Sequence, residues 1–159
     1  VKMFGKKKEK MLKPLGGFYV DGLPGANKNS IFEAQFNEDK SKLNISVGKK
    51  EFVLPIDKIQ AMEVGSEVEI LEKSKSVIGR GAVGALFGPV GAIIGAASGT
   101  GTKTKEKKKY YAVLSYTGND GIENITIELG GVGSLFIGDA NRFKEALDKE
   151  LYGDGPIQL

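Results

Sequence analysis

The chain of 159 residues is long enough to bury a core of its own within one domain. It contains no cysteine and no histidine, which removes disulfides, thiolate metal sites, cysteine nucleophiles, the commonest general base and the commonest transition-metal ligand. The net charge of +3 is polarised: six Lys against one Glu in residues 1–13 and eight Lys or Arg against one Glu in residues 73–109 leave an acidic remainder.

Residues 1–15 read as a basic arm. No apolar run there is long enough for a signal-peptide core, so a cytoplasmic location is expected. The main domain is expected over 16–152, with an insertion at 75–104 and a tail at 153–159. Phe18, Tyr19 and Val20 predict a first strand starting at Phe18, closed by the turn signals Asp21-Gly22 and Pro24-Gly25. Phe32, Ala34 and Phe36 alternate with Glu33 and Gln35, and Leu43, Ile45 and Val47 alternate with Asn44 and Ser46. This two-residue period predicts half-buried strands, joined by a turn over 37–41. Phe52, Val53 and Leu54 predict a further strand ended by Pro55, the last three forming an antiparallel meander. Ile59, Met62, Val64, Val68 and Ile70 predict another extended segment, bent at Gly65.

From Val77 to Thr100 the composition changes abruptly. Residues 81–98 carry no charge, and Gly81, Gly84, Gly88, Gly91, Gly95 and Gly99 recur every three or four residues. On a continuous helix they form one stripe that suits close helix packing. Pro89 interrupts it, because its ring lacks an amide donor and clashes with the carbonyl four residues back. Two shapes follow: one kinked rod, or two helices of roughly a dozen residues folded back at Gly88-Pro89. Both flanks are basic, with Lys73, Lys75 and Arg80 before and Lys103, Lys105, Lys107, Lys108 and Lys109 after. A hairpin lets both flanks stay on one side of a membrane and return to one domain. Leu86, Phe87, Val90, Ile93 and Ile94 then supply apolar contact to lipid or to neighbouring hairpins, beside Pro89 and the glycines. The eight flanking cations would meet anionic headgroups.

After the insertion, Tyr110, Ala112, Leu114 and Tyr116 alternate with Tyr111, Val113 and Ser115, and Ile125, Ile127 and Leu129 alternate with Asn124, Thr126 and Glu128. With the Gly118-Asn119-Asp120-Gly121 turn between them they predict a hairpin. Gly130, Gly131 and Gly133 loosen the chain ahead of Leu135, Phe136 and Ile137. Asp139 is then expected to cap a helix on which the spacing of Phe143, Ala146, Leu147, Glu150 and Leu151 lays an apolar stripe, ending by Gly153.

The expected fold is mainly β: a small curved antiparallel sheet or partly open barrel, one C-terminal amphipathic helix and an inserted Gly-rich helical hairpin. In this order of elements, and in SVIGRGAVGALFGPVGAIIG followed by a Lys-rich linker and KKYYAVLSY, the chain resembles the pleckstrin-homology-like (PH/GRAM-like) family in its bacterial and phage form with a glycine-zipper insert. The resemblance covers residues 18–151 and implies a non-catalytic module that docks on membranes or protein partners. Phosphoinositide-binding members carry a basic loop after the first strand, whereas residues 21–30 offer only Lys28; the usual Trp of the terminal helix is also absent. No ligand-binding residue is carried over.

Other motifs fall short of a chemistry. Gly79-Arg80-Gly81-Ala82-Val83-Gly84 matches GxGxxG but lacks the βαβ context and the later acidic residue. Gly99-Thr100-Gly101-Thr102-Lys103-Thr104 lacks the Gly-Lys pair of a phosphate loop. No GxSxG elbow is present, and no triad assembles without histidine. Glu67 and Glu69 would share one face of a strand, more simply as solvated carboxylates than as a cation site. Tyr110 and Tyr111, near several lysines, are explained by strand alternation, one inward and one outward, rather than by stacking on bases.

The expected function is that of a non-enzymatic, cofactor-free protein at the cytoplasmic face of an anionic membrane, self-associating through the hairpin. The alternative is a soluble assembly or adaptor component that uses the hairpin as a subunit interface. Nucleic acid is not an expected partner.

Overall fold

The computed structural model describes residues 12–74 and 109–153. The predicted helical hairpin therefore lies outside the described residues, as do most of its flanking cations.

Seven strands form one antiparallel sheet that does not close: β1 (Leu15–Asp21), β2 (Ile31–Phe36), β3 (Lys42–Val47), β4 (Lys50–Pro55), β5 (Ile59–Ser66), β6 (Lys109–Gly118) and β7 (Gly121–Gly131). Their spatial order is β4-β3-β2-β1-β7-β6-β5. The first four strands are the predicted meander, extended by one strand at the front. The Asn37 side chain fixes the β2–β3 turn by accepting from the amides of Ser41 and Lys42, at 2.9 and 3.1 Å. A 3-10 turn, Ile56–Lys58, leads into β5. Two helices complete the chain: α1 (Glu67–Ser74) and α2 (Leu135–Tyr152).

The main core lies on the inner face. Leu15, Phe32, Leu43, Leu114, Ile125, Ile127 and Leu129 from the sheet meet Ala140, Phe143 and Leu147 of α2, all fully buried. Phe143 stacks on Phe36 with ring centroids 5.1 Å apart, and the Tyr152 hydroxyl donates to the Gln60 carbonyl at 2.7 Å. Of the predicted stripe, Phe143 and Leu147 are buried in the core and Leu151 packs against it, whereas Ala146 and Glu150 do not belong to it and Ala140 does.

Three local expectations are corrected. β1 begins at Leu15 and not at Phe18, and runs through Gly16 and Gly17. A Cβ on Gly17 would stand 2.5 Å from the Glu128 carbonyl oxygen, so glycine here allows β1 to approach β7 rather than breaking the strand. Val68 and Ile70 belong to α1 and not to an extended segment. The Ser66 hydroxyl accepts from the Glu69 amide at 3.2 Å while Oε1 of Glu69 accepts from the Ser66 amide at 2.8 Å. That reciprocal pair is a capping box, which starts a helix. Glu67 and Glu69 therefore do not share a strand face. Finally, α2 starts at Leu135 and is capped by Ser134, whose hydroxyl accepts from the Phe136 amide at 3.1 Å. Asp139 lies one turn inside and pairs with Arg142 at 3.1 Å.

Candidate functional site

The face of the sheet opposite the core mixes apolar, hydroxyl, amide and carboxylate side chains. Directly opposed residues of paired strands share a face, so the register lays out its rows. Ile31, Phe18, Glu128, Tyr111 and Gly65 follow one another from β2 to β5. Thr126, Val113 and Glu63 make the next row, and Asn124, Ser115 and Ala61 the one after.

This outer face is divided. On β1 and β2 it is open: Ile31 is 69% and Phe18 40% exposed. Phe136, at the start of α2, meets Phe18 edge to face with centroids 6.2 Å apart. On β5, β6 and β7 much of the face is buried, with Tyr111, Val113, Ser115 and Thr126 at 0% exposure and Ala61 at 5%, while Glu63, Asn124 and Glu128 of the same rows are half-buried. Tyr111, Val113, Ala61 and Ile70 of α1 stand outside the main core cluster. They form a second buried set on the other side of the sheet.

Its polar groups are unevenly satisfied. The Ser115 hydroxyl donates to the Asn124 side-chain carbonyl. The Tyr111 hydroxyl and the Thr126 hydroxyl are buried with no hydrogen-bond partner among the described residues. Burial pushes the Tyr111 hydroxyl up to about 12, with Glu128 and then Glu67 adding repulsion against its anion.

The insertion joins the domain at the edge of this face. Ser66, which ends β5, is paired with Tyr110 near the start of β6, and α1 packs on β5 and β6. Residues 75–108 therefore leave from the end of α1 and return at Lys109. Of the predicted interface residues, Gly81, Gly84, Leu86, Phe87, Gly88, Pro89, Val90, Gly91, Ile93, Ile94 and Gly95 lie outside the described residues. So do the predicted surface cations Lys75, Arg80, Lys103, Lys105, Lys107 and Lys108. Lys73 falls in α1. Lys109 opens β6 with its Nζ 3.9 Å from Glu128 Oε1.

A groove of about 530 Å³ opens elsewhere, between the end of β1, β4, the 3-10 turn and the β6–β7 turn. Asp21, Asp120 and Glu123 line it against Lys58. The Tyr19 hydroxyl donates to the Leu23 carbonyl at 3.1 Å and accepts from the Leu23 amide at 2.7 Å, tying the loop after β1 to this wall. Its acidic balance suits no phosphate.

The buried outer face was missed in the sequence, although a signal was present. Residues 110–114, YYAVL, run without a polar break, the pattern of a strand covered on both sides.

A family model described as "Glycine zipper containing PH domain" matches residues 19–129, from β1 to β7. No curated protein and no solved structure matches the chain.

Proposed function

The chain belongs to the family of glycine-zipper-containing PH domains, and on that premise we propose that it is a non-enzymatic binding module that holds to anionic membranes through its Gly-rich insertion and self-associates there. PH-like domains are generally non-catalytic, which suggests a binding or adaptor role.

The observation that carries the membrane reading is where the insertion joins the domain. Both its ends meet the β5–β6 edge, so the apolar segment and the lysines on either side of it join the domain at one place. Each Lys or Arg near an anionic surface contributes about 1 kcal/mol. The groove by the β6–β7 turn is acidic, so attraction to lipid falls to the cationic flanks and not to a headgroup pocket. Among the described residues no helix is long and apolar enough to cross a membrane.

Flotation with liposomes tests the proposal. The intact chain is expected to float more strongly with anionic than with neutral vesicles, and a chain lacking residues 77–100 to stay behind. Gly88→Leu with Gly91→Leu is expected to lower the oligomer size in detergent. Equal flotation of the two chains would end the membrane reading.

The open apolar patch of Ile31, Phe18 and Phe136 favours a second reading, an adaptor in a soluble assembly. It predicts no flotation and a discrete larger species that the deletion abolishes.

A further inference from the structure

The two edges of the sheet are finished differently. β5, at one edge, is covered: α2 packs on it, and the Tyr152 hydroxyl donates to the Gln60 carbonyl at 2.7 Å. β4, at the other edge, has β3 as its neighbour and no strand beyond it among the described residues. The geometry points to the open edge of β4 as a docking site for an extended, basic segment of a partner protein, which adds to the sheet as a further strand.

The backbone decides which groups that segment would meet. The Asn37 amide donates to the Lys42 carbonyl and the Gly48 amide to the Ile31 carbonyl, both at 3.0 Å. Even-numbered residues of β3 therefore turn their peptide groups toward β2, and odd-numbered ones toward β4. The Ile56 amide donates to the Ser41 carbonyl at 2.9 Å, in keeping with that alternation. Leu43, Ile45 and Val47 stand opposite Leu54, Phe52 and Lys50, so these three residues of β4 bond to β3. Glu51 and Val53 turn both amide and carbonyl outward, and Pro55 adds a carbonyl. The register from Lys50 to Pro55 runs without a shift. Neither a bulge nor a proline, two devices that blunt an edge, interrupts it before Pro55.

The side chains specify the partner's chemistry. Glu51 shares an outer-face row with Ser46 and Glu33, and Val53 shares the next with Asn44 and Gln35. Together these rows line a hollow of about 540 Å³. Glu33 and Glu51 are exposed and form no ion pair among the described residues. Val53 is 59% exposed. The end of β4, from Val53 to Pro55, is also one wall of the groove that sets Asp21, Asp120 and Glu123 against Lys58. Along the edge the surface thus runs from carboxylate to apolar to carboxylate. Residues directly opposed on neighbouring strands share a face, and opposite charges placed there attract. An added strand fits with a cationic side chain beside Glu51, an apolar one two positions on beside Val53, and a second cation two positions further, toward the groove. Its two cations stand roughly 13 Å apart at about 3.3 Å per residue. An acidic segment would meet repulsion at both ends.

Binding to the full chain without lipid is measured with two capped peptides, Thr-Lys-Thr-Val-Thr-Lys-Thr and the same peptide with Glu in place of Lys. The lysine peptide is expected to bind at least about tenfold more tightly, with the gap narrowing as salt rises. It is also expected to slow amide exchange at Glu51 and Val53 at least about tenfold, and less at Phe52 and Leu54, which already bond to β3. Val53→Pro removes one outward amide without touching the β3–β4 ladder, a change that an edge strand tolerates. It is expected to weaken the lysine peptide at least about tenfold with cooperative unfolding unchanged. If that variant fails to fold, N-methylated lysine peptides decide on the native chain. Methyl groups on one alternate set of peptide amides are expected to abolish binding, and on the other set to leave it. Equal binding of the lysine and glutamate peptides overturns the proposal, as does unchanged binding to folded Val53→Pro or equal tolerance of both methylated sets. Failure to bind the lysine peptide also overturns it; self-association that Val53→Pro abolishes would then make a second copy the occupant. These measurements involve neither lipid nor the insertion, so peptide binding and flotation succeed or fail separately.

Discussion

At the scale of single residues, Tyr111 shows how the buried outer face makes itself measurable. Its hydroxyl is raised from 10.0 to about 12, first by burial and then by the charges of Glu128 and Glu67. A folded-state value above the unfolded one means that the unfolded chain loses the proton first. The stability tied to the neutral phenol is therefore complete below pH 10.0 and drains away as pH climbs to about 12. Denaturant titrations between those limits are expected to show the fall, and Tyr111→Phe to remove this share of it. Gly17 makes a second residue-level claim. With the Glu128 carbonyl oxygen 2.5 Å and Ile127 Cγ2 2.7 Å from where its Cβ would be, Gly17→Ala must push β1 off β7. A loss of roughly 1–3 kcal/mol in thermal or chemical unfolding is expected. Gly22 is under a different demand: its φ of 115° is open to glycine and strained for other residues.

At the scale of elements, the legible parts were those whose pattern repeats. The alternation in residues 32–36, 43–47 and 124–129 marked strands because one face of each is buried and the period of two survives. It failed at residues 67–74. There Val68 and Ile70 continue the apolar pattern of β5, but the Ser66–Glu69 capping box turns the backbone into α1. It failed again before α2, where Ser134 also donates to the Leu129 carbonyl at 2.7 Å and so ties the helix start to β7, a tertiary contact that local spacing does not announce. The cap carries its own prediction. Ser66→Ala is expected to cost about 1 kcal/mol and to speed amide exchange in α1 and the end of β5 more than in the β6–β7 hairpin. Equal acceleration everywhere would mean that α1 is not a separate unit.

At the scale of the whole molecule, the two faces of the sheet have different fates, one closed by α2 and the other open on β1 and β2 but largely buried on β5, β6 and β7. The fold was readable because seven strands and a terminal helix each leave a local signature. The candidate site was less so, because two buried faces on β6 look from the sequence like one hydrophobic run. The acidic groove by the β6–β7 turn makes a prediction at this scale. Binding to anionic vesicles is expected to weaken as salt rises and to be untouched by soluble inositol phosphates; competition by the latter would place the lipid contact in the groove. The position of the insertion reaches beyond equilibrium. β5 is an edge strand whose partner in the sheet is β6, and residues 67–108 must be looped out before Ser66 finds Tyr110. Each halving of such a loop lowers its closure cost by about 0.6 kcal/mol, or about threefold in rate if closure limits folding. The tight β6–β7 hairpin and the β1–β4 meander need no such wait. Evolution could therefore lengthen the insertion at little thermodynamic loss, with the delay falling on the β5–β6 pairing, so that β5 waits as an unpaired strand while the apolar segment is being made.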